Sequence, residues 1–257
     1  MLLGGGPIAL DQPNQIGGIH ARLGELCHRF DGIAFLPGDS REGVVVWSCA
    51  VSTPEEIRQT LATRVAQTVA PGSSGRAAVA MVLRTVPGGL EVLFIERARH
   101  PGDPWSGHMA FPGGRLEPNE HSPRLAAERE TLEEVGLDLS GSELLGRLDD
   151  LHGRRAAGVP ALVISAFVYH AVEIPTLRPN HEVSEAFWFP LDALEDPSRH
   201  VSFAPPAAGE LPFPGIRVGE SAPHVVWGLT YRFLEVFFEA VGRPLPDRWG
   251  ALREFAP

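Results

Sequence analysis

The chain is 257 residues long and carries 22 basic side chains against 32 acidic ones, a formal charge of −10. All the basic residues are arginine, and the absence of lysine excludes a Walker-type phosphate loop and any lysine Schiff-base chemistry. Anions would have to be met by arginine forks, backbone N–H groups or bound cations, and the acidity argues against nucleic acid as a partner, whose usual footprint is a basic face.

With 44% hydrophobic residues there is material for a core. Cys27 and Cys49 are too few for a disulfide framework and lack metal-site spacing. The opening MLLGGGPIAL reads poorly as a signal peptide and no apolar run reaches membrane-spanning length, so no membrane partner is expected and a cytoplasmic location is the default. Residues 1–75 are expected to form a partly ordered N-terminal extension. It holds a short helical period over 19–30, a strand candidate at 43–49, and a helix that starts behind Thr53 with Pro54, Glu55 and Glu56 and runs to about Ala66. Pro71-Gly72-Ser73-Ser74-Gly75 reads as a linker.

From residue 76 the pattern changes. Apolar runs at 77–84 and 91–98, joined by Thr85-Val86-Pro87-Gly88-Gly89, predict a hairpin. A short strand is expected at 108–111, a helix at 123–135, further strands at 143–148, 161–172 and 185–189, and a short helix near 190–195. Residues 223–241 are apolar at helical spacing and are expected to pack on the body, leaving 242–257 as a C-terminal tail. Strands mixed with a few helices, not strictly alternating, indicate an α/β fold with a mixed β-sheet covered by helices.

The chemistry lies in residues 113–139. Ser122 as N-cap, Pro123 at the first position and Gly136 as a left-handed C-cap define a helix about 20 Å long. Glu130, Glu133 and Glu134 share one face, with Leu125, Leu132 and Val135 expected to be buried on the other. Glu128 falls near the apolar side, at a rim position or with an arginine partner. Carboxylates so arranged repel one another and sit at the helix end whose dipole disfavours them. A solvated acidic face is the bland alternative, but a hard divalent cation would relieve both penalties, and the Pro112-Gly113-Gly114 turn ahead of the helix would let backbone approach a ligand.

Gly114, Glu120, Arg129-Glu130, Glu133-Glu134 and Gly136-Leu137 resemble the Nudix box, G-x5-E-x7-R-E-U-x-E-E-x-G-U, with one extra residue between Glu120 and Arg129 and Thr131 where an aliphatic residue is usual. The resemblance implies a Nudix-like α/β/α sandwich over about 76–241 and Mg²⁺- or Mn²⁺-dependent hydrolysis of a diphosphate linked to another moiety. It implies Glu130 and Glu134 as principal metal ligands, Glu133 as a third ligand or water-orienting group, and a backbone carbonyl from Gly113 or Gly114. Arg129 would support the glutamates, with Glu120 its partner, and a base from a loop outside the box would be Glu182, with Glu185 behind it. Arg97, Arg99 and Arg115 could clamp the outer phosphate in bidentate fashion, although a plain surface arginine is the alternative for each.

The stretch from Glu96-Arg97-Ala98-Arg99 to Phe111-Pro112-Gly113-Gly114 resembles the segment upstream of the box in coenzyme A diphosphatases. The extra box residue is usual there too, and FPGIRV (213–218) and HVVWGLTYRFL (224–234) resemble that subgroup's C-terminal stretch. The match departs at Trp105, where a histidine is usual, while His108 follows Gly107 instead. Trp227 is expected to pack rather than to stack on a ligand. Coenzyme A or an acyl derivative is thus the expected small-molecule substrate. Nucleotide sugars, dinucleoside polyphosphates and ADP-ribose are the alternatives, and a nucleotide-sensing domain without turnover is the alternative of another class. A homodimer is left open.

Overall fold

The computed structural model describes residues 53–70, 75–100, 105–153, 162–205, 212–219 and 224–246. The helix expected over 19–30, the strand over 43–49, the linker residues 71–74 and both cysteines lie outside these.

Thr53 opens the first helix, α1 (Pro54–Thr63), through a reciprocal capping box: Glu56 N–H donates to Thr53 Oγ1 at 3.2 Å, and Thr53 N–H to the Glu56 carboxylate at 2.8 Å. The helix stops short of the expected Ala66 because Arg64 turns extended and pairs with Asp149. Ile57 and Leu61 are buried and join the main core, so this part of the N-terminal segment packs against the sheet. Gly146 permits the contact, since a Cβ there would stand 2.6 Å from Leu61 Cβ. Asp150 fastens the chain beyond α1. Its buried carboxylate accepts from Val69 N–H (2.8 Å), Arg147 (2.6 Å) and Ser165 (2.8 Å). Burial alone would raise the Asp150 pKa, but these donors outweigh it and hold the carboxyl below its usual range.

The expected hairpin is present as β1 (Gly75–Val86) and β2 (Gly89–Arg97), antiparallel and in register from Leu83 opposite Val92 to Val86 opposite Gly89. There follow β3 (Met109–Ala110), β4 (Gly113–Arg115), α2 (Pro123–Val135), β5 (Glu143–Arg147), β6 (Leu151–His152), β7 (Leu162–His170) and β8 (Val183–Pro190). Their mixed sheet runs β3-β2-β1-β7-β5, with β4 on β1, β6 on β7 and β8 on β2. The β1–β7 pair is parallel and the others are antiparallel. A short 3₁₀ turn, Asp192–Glu195, stands where the short helix was expected.

The period of two divides β1 between two cores. Ala78, Ala80 and Val82 face Ala126, Ala127 and Val135 of α2, while Ala77, Met81 and Leu83 face the core that holds Ile57 and the C-terminal aromatics. Helices thus cover both faces, giving the α/β/α sandwich. Each buried Leu or Phe side chain contributes roughly 1.5–3 kcal/mol.

The apolar stretch 223–241 is not one helix. His224–Trp227 is a strand, β11, antiparallel to β10 (Phe213–Val218), which pairs in turn with β9 (His200–Phe203) in a second sheet. Helix α3 (Gly228–Ala240) begins only where Gly228, at φ +63°, turns the chain. The β-branched pair Val225-Val226 favours the strand, and helical spacing alone does not separate the two states in a short apolar run. Tyr231, Phe233, Leu234, Phe237 and Phe238 of α3 are buried, and Thr230 Oγ1 donates to Met109 O at 3.1 Å, tying α3 to the sheet.

Candidate active site

Helix α2 has the expected bounds but not the expected rotation. Leu125 and Leu132 are about half exposed, while Ala126, Ala127, Thr131, Glu134 and Val135 are buried. Small residues win the sheet side because they let the helix backbone come close, and Thr131 satisfies its hydroxyl on Ala127 O at 2.7 Å. Ser122 occupies the N-cap position but makes no side-chain cap hydrogen bond, whereas Gly136 takes the expected left-handed form at φ 70°. Glu128 does meet an arginine, Arg124 at 3.0 Å, and it also accepts the Tyr169 hydroxyl at 2.7 Å.

The rotation carries Glu134 inward, to 2% exposure. Its carboxylate accepts Gly113 N–H at 2.8 Å. Burial pushes its pKa up to about 8, with the neighbouring Glu130 and Glu182 carboxylates adding to the rise and Gly113 N–H and Arg97 opposing it. Burial also raises Glu130, against the pull of Arg129 and with Glu133 and Glu182 pushing further. Glu182, from the loop before β8, thus belongs electrostatically to the same group.

The two turn glycines have separate reasons. Gly113 sits at φ +150°, and a Cβ there would lie 2.2 Å from Ala78 O and 2.6 Å from Val79 Cα. At Gly114 a Cβ would fall 2.4 Å from the Glu130 carboxyl. One glycine lets β4 pair closely with β1, and the other leaves room for a carboxylate.

Arg129 organises the outer side. Its Nε and Nη2 grip Glu120 at 2.9 and 3.1 Å, Nη1 meets Glu133 and Glu130 each at 3.0 Å, and Nη2 reaches Arg115 O at 3.2 Å. The hydrogen bonds from Arg129 hold Glu120 below its ordinary pKa, and Glu120 in turn raises that of Arg129. Arg129 touches carboxylates and backbone.

The Glu182 loop is tied to the end of α2. Arg178 N–H donates to Val135 O at 2.8 Å and Asn180 N–H to Glu134 O at 2.9 Å, satisfying helix-terminal carbonyls. Asn180 Oδ1 then accepts Glu182 N–H at 2.8 Å, and Ala98 N–H donates to Glu182 O at 2.7 Å. A register shift in the β2–β8 pair falls between Glu96 and Arg97. Such bulges re-aim side chains, and Arg97 here lies near enough to Glu134 to oppose its rise in pKa.

The remaining expected residues are less drawn in. Arg99 is exposed and lies over Gly107, where a Cβ would stand 3.4 Å from its Nε. Arg115 is exposed and meets Arg129 through its carbonyl oxygen, not its guanidinium. Glu185 does not stand behind Glu182: it pairs across the sheet with Glu96, on the face turned away from α2. Trp105 is half exposed. Trp227 packs edge-on to the His108 ring at 4.6 Å and near Phe203 and Phe213, as a packing residue should.

Glu130, Glu133, Glu134 and Glu182 supply hard oxygen donors, and at Glu134 burial together with the Glu130 and Glu182 carboxylates outweighs what Gly113 N–H and Arg97 offset. A divalent oxygen-seeking cation fits that donor set.

This arrangement is that of a Nudix domain. The NUDIX domain model matches residues 75–208, a little over half of the chain. The chain belongs to the Nudix family. An uncharacterized protein of Schizosaccharomyces pombe is 42% identical over 107 residues, covering 40% of this chain but only 32% of that protein. The mitochondrial coenzyme A diphosphatase NUDT8 of Mus musculus is 29% identical over 157 residues, 60% of this chain and 72% of its own. Among solved structures, a MutT/nudix family protein from Enterococcus faecalis aligns with a TM-score of 0.44 at 18% identity, covering 78% of this chain and 80% of that one. No helix among the described residues is long and apolar enough to cross a membrane.

Proposed function

We propose that the chain hydrolyses the diphosphate of coenzyme A or an acyl derivative, releasing 3′,5′-ADP and the 4′-phosphopantetheine portion. The observation that carries the hydrolase reading is the convergence of Glu130 and Glu182 on Glu134, a buried carboxylate held by Gly113 N–H, with Glu133 beside Glu130. The choice of coenzyme A rests on the Mus musculus relative named for that activity and on the motif running into Pro112-Gly113-Gly114.

Glu130, Glu133 and Glu134, with a backbone carbonyl of Gly113 or Gly114, would hold Mg²⁺ or Mn²⁺. A bound cation supplies positive charge to the diphosphate oxygens and lowers the pKa of a water. Glu182 takes a proton from the water that attacks phosphorus as the bond to the bridging oxygen breaks. Arg129 orients Glu130 and Glu133 without touching substrate. Arg97, and Arg99 and Arg115 on reorientation, pair with the phosphate oxygens. A cytoplasmic site of action belongs to the same reading, although the Mus musculus relative is named as mitochondrial.

The test is a substrate panel, with and without Mg²⁺, run on the wild type and on Glu134→Gln. Coenzyme A should be cleaved only with metal, and the substitution should lower the rate at least about 100-fold with the fold intact. A variant at full rate sinks the carboxylate assignment, and nucleotide sugars cleaved far faster than coenzyme A sink the substrate. Metal-dependent binding without turnover of any panel member would make the domain a sensor.

A further inference from the structure

Outside the α2 cluster, three side chains from three strands meet on the other face of the sheet. Glu96 of β2 and Glu185 of β8 are directly opposed across the strand pair. Glu96 follows Phe94 by two residues and so shares its face, where the core is that of α3, while the intervening Ile95 packs towards α2. Like charges directly opposed on neighbouring strands destabilise a sheet, and Glu96 is only 16% exposed in its side chain. Among the described residues no arginine pairs with either carboxylate. What faces both is His224, the first residue of β11 in the second sheet.

His224 Nε2 lies 3.6 Å from Glu96 Oε2 and 3.7 Å from Glu185 Oε2. Those separations are too long for hydrogen bonds, yet one donor atom from each residue falls within 4.8 Å of the other two. Metal–ligand bonds of about 2.0–2.1 Å in a tetrahedron place neighbouring donors about 3.4 Å apart, so a contraction of a few tenths of an ångström brings the histidine to each carboxylate. The two carboxylates, within 4.8 Å of one another, close the set by rotamer adjustment of the exposed Glu185. The ring is already aimed, since it stacks on Phe187 at 5.5 Å and 15°. A fourth position is open: Glu185 is 54% exposed, and it and His224 border a cleft of about 400 Å³ that also includes Phe187 and Arg199.

We propose that Glu96, Glu185 and His224 form a second divalent-metal site, separate from the α2 carboxylates and selective for an ion of the Zn²⁺ class. Imidazole with two carboxylates suits a borderline transition ion, whereas the all-oxygen α2 cluster suits Mg²⁺. Such an ion pins the start of β11 to the β2–β8 edge and cancels the opposed charges there. The site stands whether or not the hydrolase reading does.

The test uses the full chain carrying Glu130→Gln and Glu134→Gln, stripped of metal and titrated with Zn²⁺ by calorimetry, with Co²⁺ as an absorbing substitute. One ion per chain should bind in this background, with Co²⁺ bands of low-coordinate intensity. Adding His224→Gln should weaken binding on the order of 10–100-fold or more and shift those bands. Adding Glu185→Gln, on a side chain too exposed to unfold the sheet, should also weaken binding without lowering the melting temperature of the metal-free chain. No Zn²⁺ bound in the starting background, or equal affinity and unmoved bands after His224→Gln and Glu185→Gln, overturns the site.

Discussion

Gly114→Ala separates the geometry of the α2 carboxylates from the stability of the fold. The new methyl carbon falls 2.4 Å from both Cδ and Oε1 of Glu130, where an ordinary contact needs about 3.4 Å. The Glu130 carboxyl must therefore retreat by about 1 Å, and a displacement of that size in a reacting constellation costs on the order of 10²-fold in rate. The backbone at Gly114 is not in the left-handed region, and the obstructing atoms are the end of a flexible side chain, so the melting temperature should hardly move. Gly113→Ala is the control. Its methyl meets the backbone of Ala78 and Val79 at φ +150° and should lower the melting temperature steeply by splitting β4 from β1. Two measurements decide: kcat/KM on the best substrate of the panel, and Mn²⁺ affinity read by electron spin resonance, which needs no turnover. Gly114→Ala within threefold of the wild type in both would refute the placement of Glu130, and so would equal unfolding by the two variants.

Two further outcomes follow from the polar network. Asp150→Asn should destabilise the chain by about 3 kcal/mol in urea unfolding at neutral pH, since it removes the charged partner of Arg147 while the Val69 and Ser165 donors remain. Because the Asp150 pKa is held below 3.8 in the fold, its contribution is full above that value and is lost as pH falls through the lower folded value. The gap between wild type and variant should therefore close in acid, and a gap constant down to pH 2 contradicts the assignment. Arg129→Lys should lower kcat well over tenfold with little change in KM, because an ammonium cannot fork onto Glu120 while also reaching Glu133. A pure KM effect would instead mean that Arg129 touches substrate.

The sequence carried the box helix and the β1–β2 hairpin to within a few residues, because glycine, proline and period-two alternation act locally. Its carboxylate cluster was legible for the same reason: spacing along one helix is local geometry. The rotation of α2 was not, since hydrophobicity alone sends Leu125 and Leu132 inward, whereas the separation of helix and sheet selects Ala126, Ala127 and Thr131. The break at Gly228 hid inside an apolar run whose spacing suited a helix throughout. Glu182 and Glu185 are only three apart in sequence, but strand pairing sends them to different surroundings, with Glu185 opposite Glu96. The meeting of Glu96, Glu185 and His224 had no local signature at all, because it depends on two sheets coming together.

A carboxylate on a loop ordinarily wanders relative to the scaffold that it serves. Here the peptide links of Arg178 and Asn180 are spliced onto the last turn of α2, and Ala98 holds the far side of Glu182. Loop and helix must then fluctuate as one body, so thermal motion carries Glu182 along with Glu130 and Glu134 instead of away from them. Changes in ligand preference can accumulate in the second sheet and its connections without loosening that frame.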